Sequence, residues 1–384
     1  MQPLEELKIA IVHDFLTKIG GAEKVLLSLH KIFPNAPTFT LLYDESGTKG
    51  LFRDCQIKES SLGKYPAFMK KKTKNFLPFY AKAIEEFDFS EYDIVISSSN
   101  SFAHGVITGP KTFHLSYCHS PMRYAWDYTN EYLKENKIGY GLKGIFVRRT
   151  LHKLRIWDKV ASYRVDGWIA NSSNVQKRIK KYYNTDSTVI YPPVPIEEIE
   201  FTENIPDDYY LIVSRIEPYK KIDLVIKAFN ESSKPLVIIG TGSQTEALKK
   251  IAKENIEFLG WQSDRSVHEY MRNAKALIFP GEEDAGMTPV ESMAAGRPVI
   301  AYKKGGVIES ITENETGLFF EEATPQSLTD CIIKFEQNIL KFSPKKCRQN
   351  AEKFSEEIFI KKILDEVKTG YKEYLTSMNE NEKS

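Results

Sequence analysis

Residues 279–302 read FPGEEDAGMTPVESMAAGRPVIAY. An apolar run, Ala276 to Phe279, stops at the breaker pair Pro280–Gly281. An acidic loop containing Gly286 follows, then a short helix-compatible stretch, then AAGRP, then a second apolar run from Pro298 to Tyr302. Strand, loop, helix and strand in that order make a βαβ unit, which requires a parallel sheet covered by helices. The fold class expected from this segment is α/β.

The same alternation continues upstream. Tyr209 to Ser214, Leu236 to Ile239 and Ile256 to Leu259 precede it. Farther back lie Lys8 to His13, Asp93 to Ser98, Phe113 to Cys118, Gly167 to Ala170 and Thr188 to Tyr191, with amphipathic stretches of helical length between the runs. The two groups are separated by YPPVPIEEIEFTENIPDD, residues 191–208, where Pro192, Pro193, Pro195 and Pro206 remove backbone donors. A chain of 384 residues also exceeds what one core normally supports. We therefore expect two Rossmann-like domains with parallel sheets: residues 1–192, a linker 193–207, a second domain 208–354, and a closing helix and tail 355–384 that packs back on the first domain. Ile358, Ile360, Ile363, Leu364 and Val367 carry the helical spacing of that last segment.

Composition bounds the partners. Basic and acidic residues nearly cancel, at a formal charge of +1, which gives no global attraction to nucleic acid. Cys55, Cys118, Cys331 and Cys347 lie far apart and form no CxxC pair, so neither a zinc site nor a disulfide framework is expected. The opening MQPLEELKIAIVHDF carries acid where an export signal carries positive charge, and no run approaches the roughly 20 apolar residues of a spanning helix. The expected location is the cytoplasm, with any membrane contact at the inner face.

Four motifs carry chemistry. In IVHDFLTKIGGAEKVLLSL, residues 11–29, Gly20 and Gly21 directly precede an amphipathic helix, whose first N–H groups can meet an anion. In RIEPYKK, residues 215–221, Arg215 leaves the carboxyl end of a strand and Lys220 follows, a pair suited to a diphosphate. IIGTGSQ places Gly240 and Gly242 just past the next strand. In the opening segment, Glu283 sits in the loop and Glu291 in the helix, seven residues between them. Thr288 as N-cap, Pro289 at the first helical position and Glu291 closing a capping box account for Glu291 by itself, but not for the acidic loop beside a helix start.

Together IGGAEKVL (19–26), SYCHSPMRYAWD (116–127), RIEPYKK and the two glutamates resemble, in order and over nearly the whole chain, the retaining glycosyltransferases of family 4, which have the GT-B fold. The resemblance implies that Glu291 holds the ribose of a nucleotide-sugar donor and Glu283 contacts the transferred sugar. It implies diphosphate binding by Arg215 and Lys220, with Gly20 and Gly21 letting the first domain close over the donor. It places His119 at the sugar, and it makes Gly240 and the stretch Asp284, Ala285, Gly286, Met287 and Thr288 donor contacts. Three positions depart from the pattern. Ala285 stands where an aromatic is frequent, Lys221 where glycine is common, so that either lysine is a candidate phosphate ligand, and Asp284 is a second carboxylate beside Glu283.

The implied reaction is transfer through an oxocarbenium-like state, with fixed cations stabilising the departing diphosphate and no metal cofactor. The resemblance is strongest to bacterial mannosyltransferases of O-antigen and exopolysaccharide assembly, which implies GDP-mannose as donor and a glycan or lipid-linked acceptor. UDP-sugar transfer, sugar-nucleotide epimerisation and non-catalytic nucleotide-sugar binding are the alternatives. Two stretches mix cations with aromatics, residues 62–80 (LGKYPAFMKKKTKNFLPFY) and 141–159 (GLKGIFVRRTLHKLRIWDK), as peripheral contact with an anionic membrane would require.

Overall fold

The computed structural model describes residues 4–65, 76–204, 206 and 209–381. Backbone contacts divide the chain into two compact units, Met1–Pro192 with Phe359–Ser384, and Pro193–Ile358. The first holds a parallel sheet of β1 (Ile9–Leu16), β2 (Thr38–Tyr43), β3 (Ile57–Glu59), β4 (Ile94–Ser99), β5 (Phe113–Cys118), β6 (Gly167–Ala170) and β7 (Thr188–Val189). Their spatial order is β3-β2-β1-β4-β5-β6-β7. The second holds β8 (Tyr210–Val213), β9 (Leu236–Ile239), β10 (Ile256–Gly260), β11 (Ala276–Phe279), β12 (Val299–Tyr302) and β13 (Gly317–Phe320), in the order β10-β9-β8-β11-β12-β13. Both are α/β sheets of the doubly wound kind.

Successive residues of β1 show why the strands read as continuous apolar runs. Ile9 and Ile11 enter one core with Ile94 and Ile96, while Ala10 and Val12 enter another with Val95. Both faces of the sheet are covered, so no polar alternation remains. Three of the described strands lie outside the apolar runs read from the sequence. β2 is hemmed by Pro34 and Pro37, β3 is a three-residue edge strand with two charged side chains, and β13 opens on Gly317.

In each unit the chain winds outward from one central strand, then crosses back to its other side. The switch falls between β1 and β4 in the first unit and between β8 and β11 in the second. Ligands of open α/β sheets bind beyond the carboxyl strand ends at that point.

The proline-rich segment is packed, not loose. Val194, Ile196 and Ile199 are buried, Val194 bridges Ser355, and the guanidiniums of Arg297 and Arg348 donate to the carbonyls of Thr202 (2.7 Å) and Ile199 (2.9 Å). Proline removes donors but leaves carbonyls, and these two arginines use them. The last helix, Glu356–Asn381, is longer than the apolar periodicity suggested. Its buried anchors are Phe359, Ile363, Val367 and Tyr371, which join the first unit's core, whereas Ile358 is exposed. Gly370 lies where a Cβ would come within 2.7 Å of the Phe113 ring, so a side chain there would hold the helix away from β5.

Candidate functional site

At the switch point of the second unit, β8 leads into Arg215 and a short 3-10 turn, Pro218–Lys220. Tyr219 gathers the two cations: Arg215 Nη2 donates to its hydroxyl at 2.6 Å, and Lys220 Nζ stands 5.2 Å from its ring centre. Lys220 is 9% exposed and forms an ion pair with the Glu283 carboxylate. A ligand reaching this point meets an ammonium and a hydrogen-bond acceptor side by side. Lys221 resolves otherwise. Its φ of 53° is the left-handed value that glycine adopts without strain, and its ammonium lies 4.8 Å over the Tyr302 ring. Of the two candidate lysines, Lys220 is the one held at Glu283.

The Glu283 loop is positioned by close backbone approaches. Gly281 passes Lys220 so closely that a Cβ would lie 3.3 Å from its Cα. Gly305, at φ 81°, leaves room for the Glu283 carbonyl, which a Cβ would approach to 2.2 Å, and the Gly306 N–H donates to that carbonyl at 2.8 Å. Gly306 likewise gives way to the Asp284 carbonyl. On the neighbouring strand end, Gly240 (φ 131°) clears the Ser214 carbonyl, and Gly242 that of Ile216. Sequence reasoning missed Tyr219, Gly305 and Gly306. The Gly-Gly pair after β12 was the available signal.

The helix after the loop runs Met287–Ala294, and its N-cap is Gly286 in the left-handed region at φ 70°. This corrects the capping-box reading. The positive φ of Gly286 turns the chain into the helix before Thr288, so Thr288 is the second helical residue, Pro289 the third, and Glu291 the fifth. Proline is harmless there because first-turn N–H groups have no intrahelical acceptor. A glutamate in the second turn cannot close a capping box, yet Glu291 is only 5% exposed. Asp284, Ala285, Met287 and Thr288 keep partial exposure around the helix start.

At the switch point of the first unit, Asp14 at the end of β1 is 1% exposed. Its carboxylate accepts four main-chain N–H groups: Asn100 at 2.5 Å, Ser101 at 3.0 Å, and Phe102 and Ala103 each at 2.7 Å. Beside it His13 and Ser98 are partners across β1 and β4, with Nδ1 3.1 Å from the hydroxyl. The same hydroxyl lies 2.8 Å from Nε2 of His119, the residue after β5. Three further contacts fix His119. Its N–H donates to Ser99, its carbonyl accepts from Asn171 at 2.9 Å, and its ring packs edge-on to Tyr117. Burial, then the nearby His13, pushes its pKa down to about 3. Gly20 caps the helix Gly21–Ile32, and Glu23 in its first turn reaches to 3.7 Å from His13 Nε2. The glycine loop and His119 are thus joined through His13 and Ser98, neither of which the sequence motifs singled out.

The segment after His119 is tied down by Arg178, which spans Ser120 (3.3 Å) and Asp127 (3.2 Å), and by Trp126, which stacks on Tyr182 and donates to Asp158 at 2.7 Å. Of the two basic stretches, residues 66–75 of the first lie outside the described residues. The second forms the helix Leu142–Ala161.

Family models match both parts of the chain. Residues 19–198 match Glycosyltransferase Family 4, and residues 195–354 match Glycosyl transferases group 1. Alpha-1,3/1,6-mannosyltransferase ALG2 of Dictyostelium discoideum is 24% identical over 381 residues, covering 82% of this chain and 86% of that protein. A lipopolysaccharide 1,2-N-acetylglucosaminetransferase of Salmonella typhimurium is 32% identical over 206 residues, 48% of this chain and 53% of the relative. Among solved structures, Anabaena HepE in complex with UDP superimposes with a TM-score of 0.69 at 17% identity, over 94% of this chain and all of that one. Two doubly wound parallel sheets, a cation pair and two glutamates at one switch point, and matches that together run from residue 19 to 354 lead to one conclusion: the chain belongs to the family 4 glycosyltransferases and has the GT-B fold.

Proposed function

We propose that this glycosyltransferase moves mannose from GDP-mannose to a glycan or lipid-linked acceptor in surface polysaccharide assembly, with retention of anomeric configuration and without a metal ion. The observation that carries this reading is the Arg215–Tyr219–Lys220 cluster paired with Glu283. As the bond between the sugar C1 and the phosphate oxygen breaks, its electron pair stays on the nucleoside diphosphate. Cations fixed before the reaction stabilise that charge without reorganising. The acceptor hydroxyl attacks C1 from the same face, and its proton passes to a departing phosphate oxygen. Glu283 then accepts hydrogen bonds from the sugar and Glu291 from the ribose, while His119 meets the sugar. The sequence similarity to ALG2, spread over most of both chains, supports the mannosyl assignment. A UDP-sugar is the second reading, favoured by the UDP complex of HepE and by the N-acetylglucosaminetransferase relative.

The acceptor side is a membrane surface in this reading. Leu142, Ile145, Phe146, Arg149, Lys153, Ile156 and Val160 form one exposed stripe of the helix Leu142–Ala161, opposite the buried Leu151, Leu154 and Asp158. Apolar side chains framed by cations suit an anionic lipid interface.

Thermal unfolding with GDP, UDP, dTDP and CMP, each with and without EDTA, tests the donor. A ligand held only by the folded protein adds about 2.7 kcal/mol at a hundredfold excess over its Kd. Selective stabilisation by GDP that survives EDTA is expected. Preference for UDP replaces the donor, and loss of the effect in EDTA overturns the metal-free mechanism.

A further inference from the structure

The chain of polar groups from Glu23 to His119 has a direction, and one group sets it. Glu23 is 8% exposed, and its carboxylate can only accept. His13 is 1% exposed, and its Nε2 has no hydrogen-bond partner among the described residues; the charged group facing it is the Glu23 Oε1 at 3.7 Å. A bare lone pair turned toward a buried carboxylate is repelled, whereas an N–H is attracted, so the proton of a neutral His13 sits on Nε2. Its Nδ1 is then an acceptor, and Ser98 donates its hydroxyl hydrogen to it across 3.1 Å. With that hydrogen committed, the Ser98 oxygen accepts, and at 2.8 Å His119 Nε2 must donate to it. A neutral imidazole has one N–H, and burial keeps His119 neutral. His119 Nδ1 is left as a lone-pair acceptor, with no hydrogen-bond partner among the described residues.

We infer that Glu23, His13 and Ser98 are positioning residues that lock His119 in its Nε2–H tautomer, so that His119 accepts a hydrogen bond from a ligand hydroxyl and does not donate one. The inference rests on the proposed reading of His119 as the residue that meets the transferred sugar. That reading gives the contact, and the relay gives its polarity. A sugar hydroxyl is the chemistry such an acceptor selects; a ligand offering only acceptors, such as a phosphate oxygen, is repelled there.

Nitrogen-15 NMR of the full-length protein labelled at histidine reads the tautomer directly at pH 8, where ordinary imidazoles are neutral. The His119→Gln spectrum assigns the signal. Wild type is expected to show His119 protonated at Nε2 and bare at Nδ1; protonation at Nδ1 overturns the relay. In Glu23→Gln, whose neutral amide no longer enforces the direction, the Nδ1–H form is expected to appear. The kcat should fall about tenfold or more, the Kd for nucleoside diphosphate should not change, and Glu23→Asp should restore part of the rate. A Glu23→Gln protein with unchanged tautomer and unchanged kcat also overturns it. If wild type binds no nucleotide, the transferase reading of the site fails instead, and the wild-type tautomer still decides the relay.

Discussion

At the scale of single residues, the site depends on backbone clearances as much as on charged groups. Glu283 is held from behind by Gly305, whose positive φ and missing Cβ let two loops touch. Gly305→Ala places a methyl 2.2 Å from the Glu283 carbonyl, so one loop must move. The expected outcome is a loss of about 1–3 kcal/mol in urea unfolding, together with a fall in transfer. Glu283→Ala is expected to cost about a hundredfold in kcat and, because it leaves the 9%-exposed Lys220 without its carboxylate, about 1–3 kcal/mol in stability. Equal transfer rates in Glu283→Ala and wild type would remove Glu283 from the site. The pair of variants separates the carboxylate's chemistry from its placement. The two lysines of RIEPYKK also part at this scale: Lys221 takes up the left-handed turn, and Lys220 reaches the Glu283 carboxylate.

At the scale of elements, two helices carry information that their sequences show only in part. In the helix Glu356–Asn381, apolar spacing found the buried Ile363 and Val367, with Ile360 and Leu364 packed beside them, but it missed the buried Phe359 and Tyr371 and included the exposed Ile358. An amphipathic pattern with apolar residues on adjacent faces fixes a helix but not its rotation; the neighbouring core does that. In the helix Leu142–Ala161 the outward stripe is apolar at its start, with Leu142 at 88% exposure and Phe146 at 62%. Replacing Leu142, Ile145 and Phe146 together by serine removes that surface without touching the buried face. Sedimentation with vesicles containing anionic lipid is expected to drop about fivefold or more, with the melting temperature retained. Wild-type binding that ignores anionic lipid ends the membrane proposal.

At the scale of the whole molecule, buried histidines give stability a pH dependence. His114 and His119 are both pushed down to about 3 from 6.5, first by burial and then by a neighbouring histidine, His104 and His13 respectively. Each group's folded value lies below its unfolded value, so below pH 6.5 the unfolded chain takes up the proton while the folded chain refuses it. Stability is therefore full above that pH and falls as pH drops toward 3. The slope is about 1.4 kcal/mol per pH unit for each histidine, and urea midpoints followed by tryptophan fluorescence should decline accordingly below pH 6. A flat profile down to pH 5 would mean that these imidazoles are solvated. The strand-and-helix alternation, the α/β class and ten of the thirteen strands among the described residues followed from the sequence alone, because local periodicity and breakers are carried by near neighbours. The tertiary structure alone decided which strand ends meet, which lysine faces Glu283, that Gly286 caps the helix before Glu291, and that Glu23, His13 and Ser98 stand behind His119. Those relations join residues far apart in sequence, 85 positions in the His13–Ser98 pair. They are fixed by sheet order and register, which only the packed chain determines.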